Sequence, residues 1–136
     1  MSPEARLFCG LTLILVPTIV YGGLTVLGVV SGGRYGAPAP PDLSPLQVTF
    51  YRAGHAHAGV LSLLALFLQI ALDHVSLPLA LVLPLRVAAL AAPLLVAGGF
   101  FGLAHSPPLR ALLYLGAVVL AVTTLTVGVG LIRART

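Results

Sequence analysis

Two histidines two positions apart, His55 and His57, lie in the segment Phe50-Tyr51-Arg52-Ala53-Gly54-His55-Ala56-His57-Ala58-Gly59-Val60-Leu61, which is small or apolar apart from Tyr51 and Arg52. Imidazole is an ordinary axial ligand of haem iron and the commonest protein ligand of transition metals. Ionisable residues inside an apolar membrane segment are costly and are usually there for function. On a helix, positions i and i+2 point roughly 200° apart, so His55 and His57 look out from nearly opposite faces and serve two pockets. That geometry argues against a compact zinc site of the His-x-x-x-His kind, whose two ligands share a face. Gly54, Ala58 and Gly59 remove bulk beside the pair, leaving room for a flat macrocycle or a closely packed helix. Arg52, about one turn toward the surface, suits bidentate pairing with a haem propionate. The competing structural account is that the histidines hydrogen-bond between helices while Gly54 and Ala58 form a small-xxx-small packing face. His105 is a further candidate metal ligand, a proton donor or an interfacial residue, and His74 beside Asp73 reads as interfacial.

The elements that must position these residues are membrane helices. Of 136 residues, 59% are hydrophobic and only 7% charged, and the mean hydropathy of +1.11 is far above that of a water-soluble domain. Each crossing of the hydrocarbon core takes roughly 20 apolar residues. The chain accommodates four, over about 7–30, 50–72, 79–104 and 109–132, with a Pro-rich loop over 31–49, so residues 1–136 are expected to form one transmembrane domain. The expected fold is all-α, an integral membrane four-helix bundle. The first apolar stretch is longer than the ~7–15 residues of a signal-peptide core and reads as a helix of the mature protein. Pro17 and Pro93 are expected to kink the first and third spans, while Gly98, Gly99 and Gly102 offer close helix contacts.

Seven arginines against three acidic residues give a net charge of +4. They cluster at segment ends, so the basic balance reports orientation in a membrane rather than nucleic-acid binding. With four crossings, Arg6, Arg86, Arg133 and Arg135 share one side and Arg34, Arg52 and Arg110 the other. The positive-inside rule then places both termini in the cytoplasm of a multi-pass cell (inner) membrane protein, with the Pro-rich loop outside. The single cysteine, Cys9, excludes an intramolecular disulfide and a Cys-based metal cluster within one chain. No carboxylate lies well inside a span, which argues against a pump or transporter built on Asp or Glu relays. Nor does any nucleophile motif or P-loop accompany Ser31-Gly32-Gly33, which reads as a turn.

The run Gly54-His55-Ala56-His57-Ala58-Gly59-Val60-Leu61 resembles the His-x-His helix of haem–copper oxidase catalytic subunits, including C-type oxidases and nitric oxide reductases. In that family one histidine of the pair ligates the low-spin haem and the other the high-spin haem. The family's subunit has twelve core helices in three arcs of four, with metal ligands concentrated on the second helix of each arc. Here too the pair falls on the second of four spans. The resemblance implies a homotrimer in which interfaces between identical chains hold haem b, with His55 and His57 as axial ligands and Arg52, with Arg34 or Arg110, on the propionates. The third span lacks the family's adjacent histidine pair, and the glutamates of its proton channel and its cross-linked tyrosine have no counterpart. The implied activity is therefore electron transfer or haem handling with a redox partner, rather than oxygen reduction. The alternatives are a copper or other transition-metal site joining His55 or His57 to His105 across an oligomer interface, and an accessory subunit without cofactor.

Overall fold

A computed structural model of the protein describes residues 1–38 and 42–134. Arg135, one of the arginines in the orientation argument, and the 39–41 stretch of the Pro-rich loop lie outside the described residues. Four helices follow in order, α1 (Pro3–Val30), α2 (Pro45–Ala71), α3 (Leu79–Leu103) and α4 (Arg110–Arg133), with a single 3-10 turn over Pro107–Leu109 leading into α4. Each is long and apolar enough to cross a bilayer, which makes this an all-α, multi-pass membrane protein.

Two helices begin earlier than hydropathy alone places them. α1 starts at Pro3 because Ser2 accepts a hydrogen bond from the amide of Ala5, Pro3 supplies a preset φ, and Glu4 complements the helix dipole. α2 starts at Pro45, five residues before the apolar run, because Ser44 and Gln47 form a reciprocal capping box with Pro45 in the first turn. The loop between α1 and α2 is shorter by those residues. It folds back on α1 at Gly36, whose φ of +83° and contact with the Leu24 carbonyl leave no room for a side chain. The helices continue through Pro17, Pro84 and Pro93 without interruption.

The packing order is the chain order. α1 lies against α2, α2 against α3 and α3 against α4, while α1 and α4 make no contact with each other among the described residues. Because α1 also touches α3 and α4 also touches α2, the two outer helices flank the α2–α3 pair on opposite sides. The α3–α4 seam is the closest: a Cβ at Gly99 would stand 2.5 Å from the Leu113 amide nitrogen, and one at Gly116 would stand 2.8 Å from Val96. Gly102 likewise meets Leu109, whereas Gly98 faces open space and plays no part in the seam. Large apolar residues such as Ile14, Leu63, Leu125 and Ile132 point outward. In a membrane protein that is the surface offered to lipid, since acyl chains solvate leucine as readily as another leucine does.

Candidate functional site

α2 places its two histidines on opposite flanks, one toward α1 and one toward α4. The His57 ring is exposed and lies against Phe100 of α3, with ring centroids 4.8 Å apart and planes tilted by 33°. Its Nδ1 is 2.8 Å from the Ala53 carbonyl oxygen. A carbonyl only accepts, so Nδ1 carries the proton and the neutral ring keeps its lone pair on Nε2. The side chain borders an apolar groove of about 490 Å³ between α2 and α4, floored by Val96 and Phe100 of α3.

His55, half-buried, lies over the Gly22-Gly23 step of α1: a Cβ at Gly23 would be 3.1 Å from both Cε1 and Nε2. The pair of glycines is therefore a notch in α1 that admits the imidazole. Within one chain this ring is packed on a backbone, whereas the His57 side chain borders an open groove.

The residues around the pair divide in the same way. The space beside Gly54 is filled by Phe101, whose ring carbons would lie 3.1 Å from a Cβ there, while Gly59 has nothing within 4 Å. Ala58 lines a small cavity on the α1 side. Arg52 is exposed and has no ion-pair or hydrogen-bond partner among the described residues. His105, at the end of α3, is exposed and its Nε2 is 2.9 Å from the hydroxyl of buried Tyr51, with Gln47 Nε2 donating to the neighbouring Ala104 carbonyl at 2.8 Å. His74 is exposed at the opposite end of the bundle.

At that opposite end is a buried polar cluster that hydropathy reading passed over. Arg86, two turns inside α3, is only 2% exposed. Its Nη2 donates to Asp73 Oδ1 at 2.5 Å and to Ser2 Oγ at 3.2 Å, and its Nη1 donates to the Gln69 backbone carbonyl at 2.8 Å. Gln69 Nε2 donates in return to the Arg86 carbonyl at 2.9 Å. Ser2 donates to Asp73 through both its amide and its hydroxyl, each at 2.7 Å. Burial by itself pushes the Asp73 carboxyl up, but the Ser2 hydrogen bonds and the Arg86 guanidinium outweigh it and lower the pKa to about 2. An arginine deep in an apolar span is expensive alone, so Arg86 in LALVLPLRV, with Gln69 and Asp73 four residues apart on the preceding helix end, was the available signal.

Among the described residues no three His, Cys, Asp or Glu side chains converge to hold a metal ion. No protein-family model, curated protein or solved structure matches this chain.

Proposed function

We propose that this is a membrane haem b protein of b-type cytochrome character, in which α2 supplies axial ligands from its two flanks at interfaces between identical chains. The observation that carries this reading is the state of His57: its Nδ1 is held by the Ala53 carbonyl, which leaves Nε2 without a protein partner on a side chain that borders an apolar groove of about 490 Å³. A hydrogen-bonded Nδ1 orients the ring and raises the basicity of Nε2, the usual preparation of a metal-binding histidine. A haem held this way supplies one-electron transfer. The protein's own contribution is to fix the imidazole and exclude water with Leu61, Phe100 and Leu113, while exposed Arg52, three residues before His55, is offered to a propionate on that flank.

His55 completes the ligand pair in this reading from the other flank, toward a neighbouring chain, once the α1 notch at Gly22-Gly23 opens or turns with it. A homotrimer would repeat the α2 pair three times around a closed ring, as cyclic assemblies do. Arginine placement supports termini in the cytoplasm of the cell membrane, with the Tyr51–His105 end outside. Copper binding between chains, through His57 and His105, is the rival for the same donors.

The test is an absorption spectrum of protein purified in mild detergent, oxidised and then reduced with dithionite, for the parent and for His57→Ala and His55→Ala. A Soret band with sharp reduced α and β bands, lost in His57→Ala, is the expected result. A protein that stays colourless after expression with added haem would sink the cytochrome reading, and copper in metal analysis without a porphyrin spectrum would favour its rival.

A further inference from the structure

Tyr21 of α1 is 62% exposed, and its hydroxyl has no hydrogen-bond partner among the described residues. It stands two positions from Gly23, which faces His55, so its side chain points roughly 200° away from that contact and out of the bundle. α1 has 28 residues, and Tyr21 is only about 7 Å from its midpoint, well inside a hydrocarbon core ~30 Å thick. No water serves polar groups at that depth, and a phenol held there normally finds a protein partner.

The matching acceptor lies at the same depth on another side of the bundle. α1 and α2 run antiparallel, with Ser2 against Asp73 at one end and Gly22-Gly23 against His55 at the other. Tyr21, next to Gly22 on the side of Ser2, is therefore level with His57 to within less than one helical turn. His57 holds the Ala53 carbonyl through Nδ1, so its Nε2 is an acceptor without a donor. The two groups cannot meet within one chain, because Tyr21 points outward from α1 while His57 borders the groove between α2 and α4.

A second copy inserted in the same orientation is related to the first by rotation about the bilayer normal, which leaves the depth of every residue unchanged. The surfaces around the two groups also agree in shape. Phe100 lies against His57 and Gly99 against Leu113, so Leu113 marks the level of His57 on α4. Ala117 and Ala121 line the groove four and eight residues further on, about 6 and 12 Å deeper, and their small side chains leave room for a helix to approach. On α1, Ile14 is seven residues before Tyr21, about 10 Å deeper, and is 72% exposed. A large apolar side chain thus falls level with the narrow wall of the groove when the phenol is level with the imidazole.

We propose that the α2–α4 groove of the haem-free protein is filled by α1 of a second copy of this chain, with the hydroxyl of the partner subunit's Tyr21 donating a hydrogen bond to Nε2 of His57. The two surfaces that meet are different, so the association is head-to-tail: each copy gives one phenol and receives one, and a closing rotation makes a ring. Nε2 cannot hold a phenol and an iron at once. The contact therefore belongs to the chain without haem, and it stands whether or not haem later takes that nitrogen.

The experiment measures energy transfer between full-length, haem-free copies carrying donor or acceptor fluorophores on C-terminal tags, in phosphatidylcholine vesicles at increasing lipid dilution. The parent is expected to associate, with transfer falling as lipid separates the copies. Tyr21→Phe removes one hydroxyl from an exposed side chain and should weaken each contact by about threefold to tenfold, the range of one interhelical hydrogen bond in a membrane. His57→Phe should weaken it as much, and the double variant no more than either, because both changes remove the same bond. Tyr35→Phe, in the loop beyond α1, should change nothing. A parent that stays monomeric, a Tyr21→Phe that associates like the parent, or losses that add in the double variant would each overturn the proposal. Adding haem separates this inference from the cytochrome reading: a parent that stays colourless while the variants keep this pattern sinks the cytochrome reading alone.

Discussion

Arg86 Nη2 and Asp73 Oδ1 meet at 2.5 Å, joining α3 two turns from its start to the turn that precedes it and, through Ser2, to the start of α1. Three elements are thereby tied at one membrane face by a cluster with a nearly fully buried cation at its centre. Removing the anion leaves that cation without its counter-charge, whereas removing both charges does not.

Asp73→Ala is accordingly expected to destabilise the protein by about 3 kcal/mol. Asp73→Ala combined with Arg86→Met should recover part of that loss. Thermal unfolding in detergent checks both, and a double variant no more stable than Asp73→Ala would show that the cluster is not acting through charge.

The pH dependence of this clasp has a definite sign. The carboxyl's pKa falls from 3.8 to about 2 on folding, so its contribution is fully present above pH ~4 and is lost as the pH drops through about 2. Asp73→Asn removes that contribution, so unfolding curves of the parent and Asp73→Asn should converge between pH 4 and 2 and stay apart at neutral pH.

The α3–α4 seam distinguishes adjacent glycines. Gly99→Ala forces a methyl against the Leu113 backbone at 2.5 Å and should cost about 1–3 kcal/mol. Gly98→Ala meets nothing within 4 Å and should be neutral or stabilising by up to about 1 kcal/mol through helix propensity. Equal melting temperatures for the two variants would contradict the packing described.

The α1 notch makes a prediction for one imidazole only. Gly23→Ala places a methyl 3.1 Å from the His55 ring, which must shift by a few tenths of an ångström. Imidazole nitrogen NMR resonances of His55 should move, while those of His57, on the other flank and bonded to Ala53, should not.

What the amino-acid order determined by itself is largely what local physics controls. Four helices were legible because bilayer thickness imposes a minimum length of apolar chain, and the opposed His55 and His57 directions follow from helical pitch alone. The capping box at Ser44 and Gln47 and the Ser2-Pro3-Glu4 start were also written locally, but hydropathy, which counts only apolar residues, passed over them. Tertiary structure alone decided which histidine was free. His55 met the Gly22-Gly23 notch and His57 met an open groove because of how α1 and α4 flank the central pair, a matter of contacts between residues far apart in the chain. The same holds for Arg86: its place in an apolar run was visible, but its partners lie 13, 17 and 84 residues away and become neighbours only when three helix ends are brought together. In a lipid-solvated bundle any apolar face can turn outward, so hydrophobicity orients these helices weakly and glycine notches and buried hydrogen bonds set how they pack.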